Sequence, residues 1–225
     1  MSARDMVLAS IRRSLGVSGN EAPRRAAVAE RLERHPRGVV PARGQGTGEE
    51  RRKQFRAMVE MAAGTVEEVS GSDEVPSAVA NFLRAHNLPL ALRRGADSRL
   101  ETLPWDREPA LTITTGASDG SDLVALSHAF GAAAETGTVM LNSGTDNPTT
   151  LNFLPDTHVV VVDASDIAGD YETLWQRLRD TCGAGAMPRA VNWITGPSRS
   201  ADIEQTLILG AHGPRRLHVI VVAAS

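Results

Sequence analysis

Two uninterrupted apolar runs, Val159-Val160-Val161-Val162 and Val219-Ile220-Val221-Val222, constrain the fold more than any other feature of this sequence. A strand with one wet face alternates apolar and polar residues, whereas a strand covered by helices on both faces is apolar at every position. Both runs are therefore expected at the centre of a sheet. Around them, after Gly64, short β-rich runs alternate with helical stretches, the pattern of an α/β fold with a largely parallel sheet. The expected strands are 65–69, 89–93, 110–114, 122–127, 137–141, 157–163, 190–195 and 216–222. The expected helices are 75–86, 148–153, 170–181 and 201–209.

Upstream, Met6, Val7, Leu8, Ile11 and Leu15 recur at helical spacing between Ser2, a candidate cap, and Gly16, a natural stop, so residues 3–15 are expected to form an amphipathic helix. Residues 17–48 are rich in Gly, Pro, Arg and Ala without sustained periodicity, as suits a linker. A helix over 49–63 then places Phe55, Met58, Val59 and Ala62 on one face. The expected organisation is a basic N-terminal helix with a flexible linker over 1–48 and an α/β domain over 49–225. The formal charge of −3 conceals an asymmetry, since residues 1–53 carry 12 basic and 6 acidic side chains and 54–225 carry 12 and 21. Such an arm could meet nucleic acid, a membrane surface or an acidic partner. Aromatic residues make up only 4% of the chain, leaving few platforms for stacking bases, so a solvated or partner-docking arm is expected and nucleic-acid binding is not. No run approaches the roughly 20 apolar residues of a membrane helix. Arg12 and Arg13 also break the first apolar periodicity before a signal-peptide core could form. A cytoplasmic location with no transmembrane segment is the expectation.

Two scarcities narrow the chemistry. Cys182 is the one cysteine, which excludes a disulfide framework, a cysteine-rich zinc knuckle and an iron–sulfur cluster ligated by this chain's own thiols. Lys53 is the one lysine, which excludes the GK[ST] signature of a P-loop and argues against Schiff-base chemistry. Histidines at 35, 86, 128, 158, 212 and 218 form no HxxxH or HExxH pair, so no metal site is expected. His128 stands out because it ends an expected strand shortly before Glu135, while His158, beside a central strand, reads as a packed or hydrogen-bonded core histidine. His212 sits in a turn, Cys182 lacks a base partner, and Trp105, Trp175 and Trp193 read as core or interface anchors.

Two segments could carry chemistry. In Ala134-Glu135-Thr136-Gly137-Thr138, followed by the strand that ends at Asn142-Ser143-Gly144, glycines and small hydroxyl residues flank a strand and would let backbone N–H groups approach a ligand closely. Glu135 is either a carboxylate that accepts hydrogen bonds, acts as a base or attacks a substrate, or a turn-stabilising glutamate. Thr195-Gly196-Pro197-Ser198-Arg199-Ser200-Ala201-Asp202-Ile203-Glu204 reads as a strand, a tight turn and a helix, with Ser198 or Ser200 as cap and Asp202 or Glu204 in the first turn. That arrangement serves equally as an anion site completed by Arg199 or as an ordinary capped helix.

Ala134-Glu135-Thr136-Gly137-Thr138, the stretch Leu154-Pro155-Asp156-Thr157-His158-Val159-Val160-Val161-Val162, and the segment 195–204 with Gly210-Ala211-His212-Gly213-Pro214 together resemble the LUD domain of the lactate utilization protein C family, in order from about Gly64 to the C-terminus, with Asn142 to Pro148 more polar than the family's continuation there. The resemblance implies a Rossmann-like three-layer sheet similar to the sugar-phosphate isomerase and CoA-transferase group. It also implies a role in bacterial oxidation of L-lactate to pyruvate with two iron–sulfur partner proteins, this chain binding no cofactor itself. The ligand or partner face it implies comprises Glu135, Thr136, Gly137, Thr138, Ser143, Gly144, Thr195, Gly196, Ser198 and Arg199, and fold-level reasoning puts such a face at the carboxyl ends of the strands. Three readings remain open at this point. The chain is a non-redox subunit binding lactate, pyruvate or a partner, a free-standing enzyme using Glu135 on a phosphorylated, CoA-type or folate-type substrate, or a sensor whose linker responds to a carboxylate.

Overall fold

The computed structural model describes residues 2–183, 185–203, 206–210 and 212–223, with the backbone alone at 200–203 and 206–209. The chain forms two compact units, Met1–Val39 and Val40–Ser225. The first holds helices α1 (Ala3–Leu15) and α2 (Ala22–Arg34). Helix α1 has the reciprocal Ser2–Asp5 capping box at its start and Gly16 at φ 64° at its end. Helix α2 occupies the middle of the stretch expected to be a linker. Pro23 in its first turn and a run of Ala, Arg, Glu and Leu favour a helix, and because it buries no residue it imposes no apolar period.

In the second unit the elements are, in chain order, α3 (Gly48–Met61), β1 (Thr65–Val69), α4 (Val75–Ala85), β2 (Ala91–Arg94), α5 (Ser98–Glu101), β3 (Thr112–Thr115), β4 (Val124–His128), β5 (Gly131–Ala133), β6 (Thr138–Asn142), α6 (Thr150–Phe153), β7 (Thr157–Asp163), β8 (Ile167–Ala168), α7 (Tyr171–Cys182), β9 (Val191–Thr195), β10 (Arg199–Ile203), β11 (Thr206–Leu209) and β12 (Arg216–Val222). Strands β1, β12, β7, β4, β2 and β3 form, in that order, a six-stranded sheet in which every pairing is parallel. The two apolar runs lie on β7 and β12, paired Val159 with His218 through Val162 with Val221. Alternate residues serve opposite cores. Val159, Val161, Ile220 and Val222 pack with Val79 and Leu83 of α4, while Val160, Val162, Val219 and Val221 pack with Phe55 and Val59 of α3.

The sheet is thus parallel, but two expected strands lie elsewhere. Strands β6 and β9 belong to a second sheet, ordered β8-β5-β6-β9, with antiparallel β5–β6 and β6–β9 pairs. Val139 and Leu141 face the core shared with the parallel sheet, and Met140 faces α7 through Leu174 and Leu178. The layers run from α4 through the six-stranded sheet to α3 with the small sheet, and then to α7. The expected helix over 201–209 is a further correction, since β10 and β11 pair as antiparallel strands there. The register of Arg199 with Leu209 draws the segment into extended backbone, so the helix-capping roles read into Ser198, Ser200 and Asp202 do not arise; Glu204 lies outside the described residues.

The compact domain begins before residue 49. Pro41 leads into a short 3-10 turn, Ala42–Gly44, and a Cβ on Gly44 would stand 2.0 Å from the carbonyl oxygen of Gly169 and 3.3 Å from Cβ of Glu135. Gln45 donates to Asp170 at 3.0 Å, and Thr47 caps α3 in a reciprocal box with Glu50.

Candidate functional site

The chain leaving β9 folds back onto the loop before β12. Ser198 donates its N–H to the Pro214 carbonyl at 2.8 Å, its own carbonyl accepts from Gly210 at 3.0 Å, and its hydroxyl accepts from the His212 N–H at 3.4 Å. With Asn152 and Phe153 of α6, His158 of β7, Leu217 of β12 and Trp193 to Thr195 of β9, these segments enclose a cavity of about 300 Å³. It lies against the amino-terminal ends of β7 and β12, opposite to the edge that strand-order reasoning favours.

Two of its lining residues, Asn152 and His158, carry buried polar atoms that no protein atom satisfies. Asn152 is 1% exposed, and neither its amide oxygen nor its amide nitrogen has a hydrogen-bond partner. His158 is fully buried, with Nε2 3.0 Å from the Ser127 hydroxyl, and that hydroxyl lies 2.9 Å from Asn147 Oδ1. Asn147 donates its Nδ2 to the Asn142 carbonyl at 3.4 Å, which leaves Oδ1 facing Ser127. An amide oxygen can only accept, so the Ser127 proton goes to Asn147 and the Ser127 oxygen accepts from His158. His158 therefore carries its proton on Nε2. Burial lowers its pKa to about 3, so the ring is neutral and Nδ1, without a protein partner, is a bare acceptor. Such groups destabilise a fold by roughly 1–3 kcal/mol each unless something pairs with them.

Of the residues singled out from the sequence, some line this cavity, some brace the strands around it, and some lie apart from it. Thr195, Gly196, Ser198 and Arg199 line it. Thr138 shares a hydrogen bond with Thr195 at 2.6 Å and with the Tyr171 hydroxyl at 2.7 Å, and Thr136 joins the same chain through Thr138 at 2.7 Å and Tyr171 at 2.9 Å. Gly137 and Gly196 are needed for packing. At φ 67° and 69° both have left-handed backbones, and a Cβ would stand 2.4 Å from Val59 N at Gly137 and 2.3 Å from Ala62 O at Gly196. The close approach expected from a ligand is made by α3 and its C-terminal end. Arg199 reinforces this by donating Nη2 to the same Ala62 carbonyl. Ser143 accepts from the Ala190 N–H at 2.8 Å and joins β6 to the chain before β9, and Gly144 is an exposed turn residue beside it.

Glu135, 4% exposed, accepts from the backbone N–H of Tyr171, the first residue of α7, at 3.2 Å, while its own N–H donates to Gly169 at 3.2 Å. A carboxylate at a helix N-terminus is stabilising in itself, and Glu135 lines neither this cavity nor the second one described below. Asn152 is not among the residues the sequence singles out, and His158 reads from the sequence as a core histidine. The signal for Asn152 was an amide between Leu151 and Phe153 in the short helix Thr150–Phe153. Among the described residues, no group of three or more His, Cys, Asp or Glu could hold a metal ion, and no helix is long and apolar enough to cross a membrane.

Fold and site together define a mixed α/β protein with a six-stranded parallel sheet and a polar-floored cavity between that sheet and a smaller one. Residues 52–222 match the sequence model of the LUD domain, and the chain belongs to the LUD domain family. It is 40% identical over 90 residues to a lactate utilization protein C of Geobacillus thermodenitrificans, a match spanning 40% of this chain and 38% of that relative. An uncharacterized protein of Neisseria meningitidis is 33% identical over 144 residues, covering 60% of this chain and 59% of its own length. The crystal structure of a DUF162 family protein from Deinococcus radiodurans shares the fold, with a TM-score of 0.58 at 23% identity, over 79% of this chain and 99% of that one.

Proposed function

We propose that the chain binds a small 2-hydroxycarboxylate, with L-lactate as the ligand, in the cavity beside Thr195–Arg199. It would do so as a non-redox subunit of a lactate-oxidising system whose iron–sulfur clusters reside in partner proteins. The observation that carries this reading is the pairing of the unsatisfied Asn152 amide and the bare His158 Nδ1 on the floor with Arg199 at the rim. The ligand hydroxyl donates to His158 Nδ1, and its carboxylate accepts from Asn152 Nδ2 and from the Arg199 guanidinium edge not committed to Ala62. A ring with a pKa of about 3 is too weak a base to take a proton efficiently near neutral pH, which favours recognition over turnover. The name of the Geobacillus relative, lactate utilization protein C, points to the same metabolite. The single thiol, Cys182, leaves electron transfer to other chains, and the excess of arginine over residues 1–53 suits docking to an acidic partner. The fold reading extends in the same way to a sheet of the sugar-phosphate isomerase and CoA-transferase kind, and the location to the cytoplasm. Glu135, Thr136, Gly137, Thr138, Ser143 and Gly144 serve as the frame that holds β9 and its turn.

Calorimetric titration with L-lactate and pyruvate tests this. Pyruvate presents a keto oxygen to His158 Nδ1, acceptor against acceptor, so L-lactate is expected to bind at least about tenfold more tightly. Arg199→Gln should weaken both ligands by a similar factor. No heat from millimolar L-lactate, or equal affinity for the two acids, would overturn the assignment.

A further inference from the structure

At the other end of the parallel sheet, the carboxyl ends of β12, β7 and β4 open into a second cavity, of about 450 Å³. It lies near the turn in strand order, where the chain runs outward from β2 to β3 and returns to β4 on the other side of β2, the position at which open α/β sheets leave a crevice. Val75, Leu100, Leu103, Val161 and Val222 make one wall apolar, and His128, Asp163 and Arg99 give the other its polarity.

His128, 7% exposed, has Nδ1 3.0 Å from the Ala129 carbonyl, and since a carbonyl only accepts, that nitrogen carries a proton. Its Nε2 stands 3.5 Å from Asp163 Oδ2, well beyond the roughly 2.7–2.9 Å of a charge-assisted hydrogen bond. Burial, reinforced by Arg99, lowers the pKa of His128, so near neutral pH the ring is uncharged and presents a bare Nε2 beside the carboxylate. Two acceptors in that relation call for donors from a third party. Arg99 is clamped by Asp97, through Nε at 3.0 Å and Nη2 at 2.6 Å, which leaves Nη1 to donate. His128, Asp163 and Arg99 thus offer two acceptors and one donor beside an apolar wall.

Charge narrows the ligand further. Asp163 and Asp73 against Arg99 leave the lining net acidic, which disfavours a carboxylate or phosphate. An organic ammonium would answer the acceptors but, having no acceptor of its own, would leave Arg99 Nη1 without a partner. Hydroxyl groups both donate and accept. We propose that this cavity is a second ligand site, which takes the vicinal diol of a neutral sugar or nucleoside, one hydroxyl donating to His128 Nε2, its neighbour to Asp163, and a diol oxygen accepting from Arg99. The apolar wall then covers the C–H face of the sugar or the base of a nucleoside.

The full chain should be titrated calorimetrically with D-ribose, adenosine, 2′,3′-dideoxyadenosine and butylammonium. Binding of ribose or adenosine at millimolar concentration or below is expected, with at least about a tenfold loss for the dideoxy compound. Asp163 has a side chain 40% exposed, so Asp163→Asn should fold normally and yet weaken the diol by about tenfold, as should His128→Asn. Adenosine binding more tightly than ribose identifies a nucleoside source, and equal affinities identify a free sugar. The proposal is overturned if neither diol binds, if the dideoxy compound binds as well as adenosine, if Asp163→Asn changes nothing, or if butylammonium binds best. These outcomes are independent of L-lactate binding, because the two cavities share no lining residue.

Discussion

Asn152 is 1% exposed with both amide atoms unpaired by protein, an arrangement that stability alone would select against. Asn152→Leu, close in volume and without polar atoms, should raise unfolding free energy by about 1–3 kcal/mol while abolishing L-lactate binding. A destabilised variant that still binds would assign the amide a structural role. The buried histidines give a second prediction. Burial lowers the pKa of His158 to about 3, and burial with the neighbouring His86 lowers that of His218 to about 4. In the unfolded chain these rings take up protons below about pH 6.5, while in the native protein they do not until far lower pH. Stability that is present above pH 6.5 is therefore lost as pH falls towards 4, by up to roughly 1.4 kcal/mol per pH unit for each histidine. Urea midpoints should be level above about pH 7 and drop by about pH 5.5, before most carboxylates titrate; identical midpoints would show that the rings are not held neutral.

At the scale of elements, the ends of α3 decide the shape of the site. Phe55 and Val59 are fully buried beneath the parallel sheet, and the helix lies so close that Gly137 and Gly196 have no room for a Cβ. Gly137→Ala combines a left-handed backbone with overpacking and should cost about 2–4 kcal/mol in a denaturant titration. A near-neutral result would mean that α3 can withdraw from the turn. These glycines were visible in the sequence, but their neighbour, more than 70 residues away, was not. Strands β7 and β12 were legible to the residue because their apolar runs admit one environment. Strands β6 and β9 were legible as strands only, because Val139, Met140 and Leu141 alternate between two cores and read like one buried run. The segment 201–209 was misread because Ser198, Ser200 and Asp202 mimic a helix start. What defeats that signal is nonlocal, the pairing of Arg199 with Leu209 and the bond from Gly210 to the Ser198 carbonyl.

For the whole molecule, the division at Val39 separates two exposed helices from every residue of the three hydrophobic cores. A chain shortened to residues 40–225 should keep a cooperative unfolding transition. Shortening to 49–225, the boundary the composition suggests, removes Gly44 from its seat on Gly169, the Gln45–Asp170 bond and the Thr47 cap, and should lower the melting temperature by several degrees. Equal melting temperatures would show that residues 40–48 are dispensable. The central claim, that the cavity between the sheets recognises a 2-hydroxycarboxylate, is tested most directly by following the Asn152 side-chain amide in a nitrogen–proton NMR titration with L-lactate. That resonance should shift saturably in the full chain and respond far less to pyruvate. A resonance that stays in place while L-lactate saturates the protein would put the ligand elsewhere.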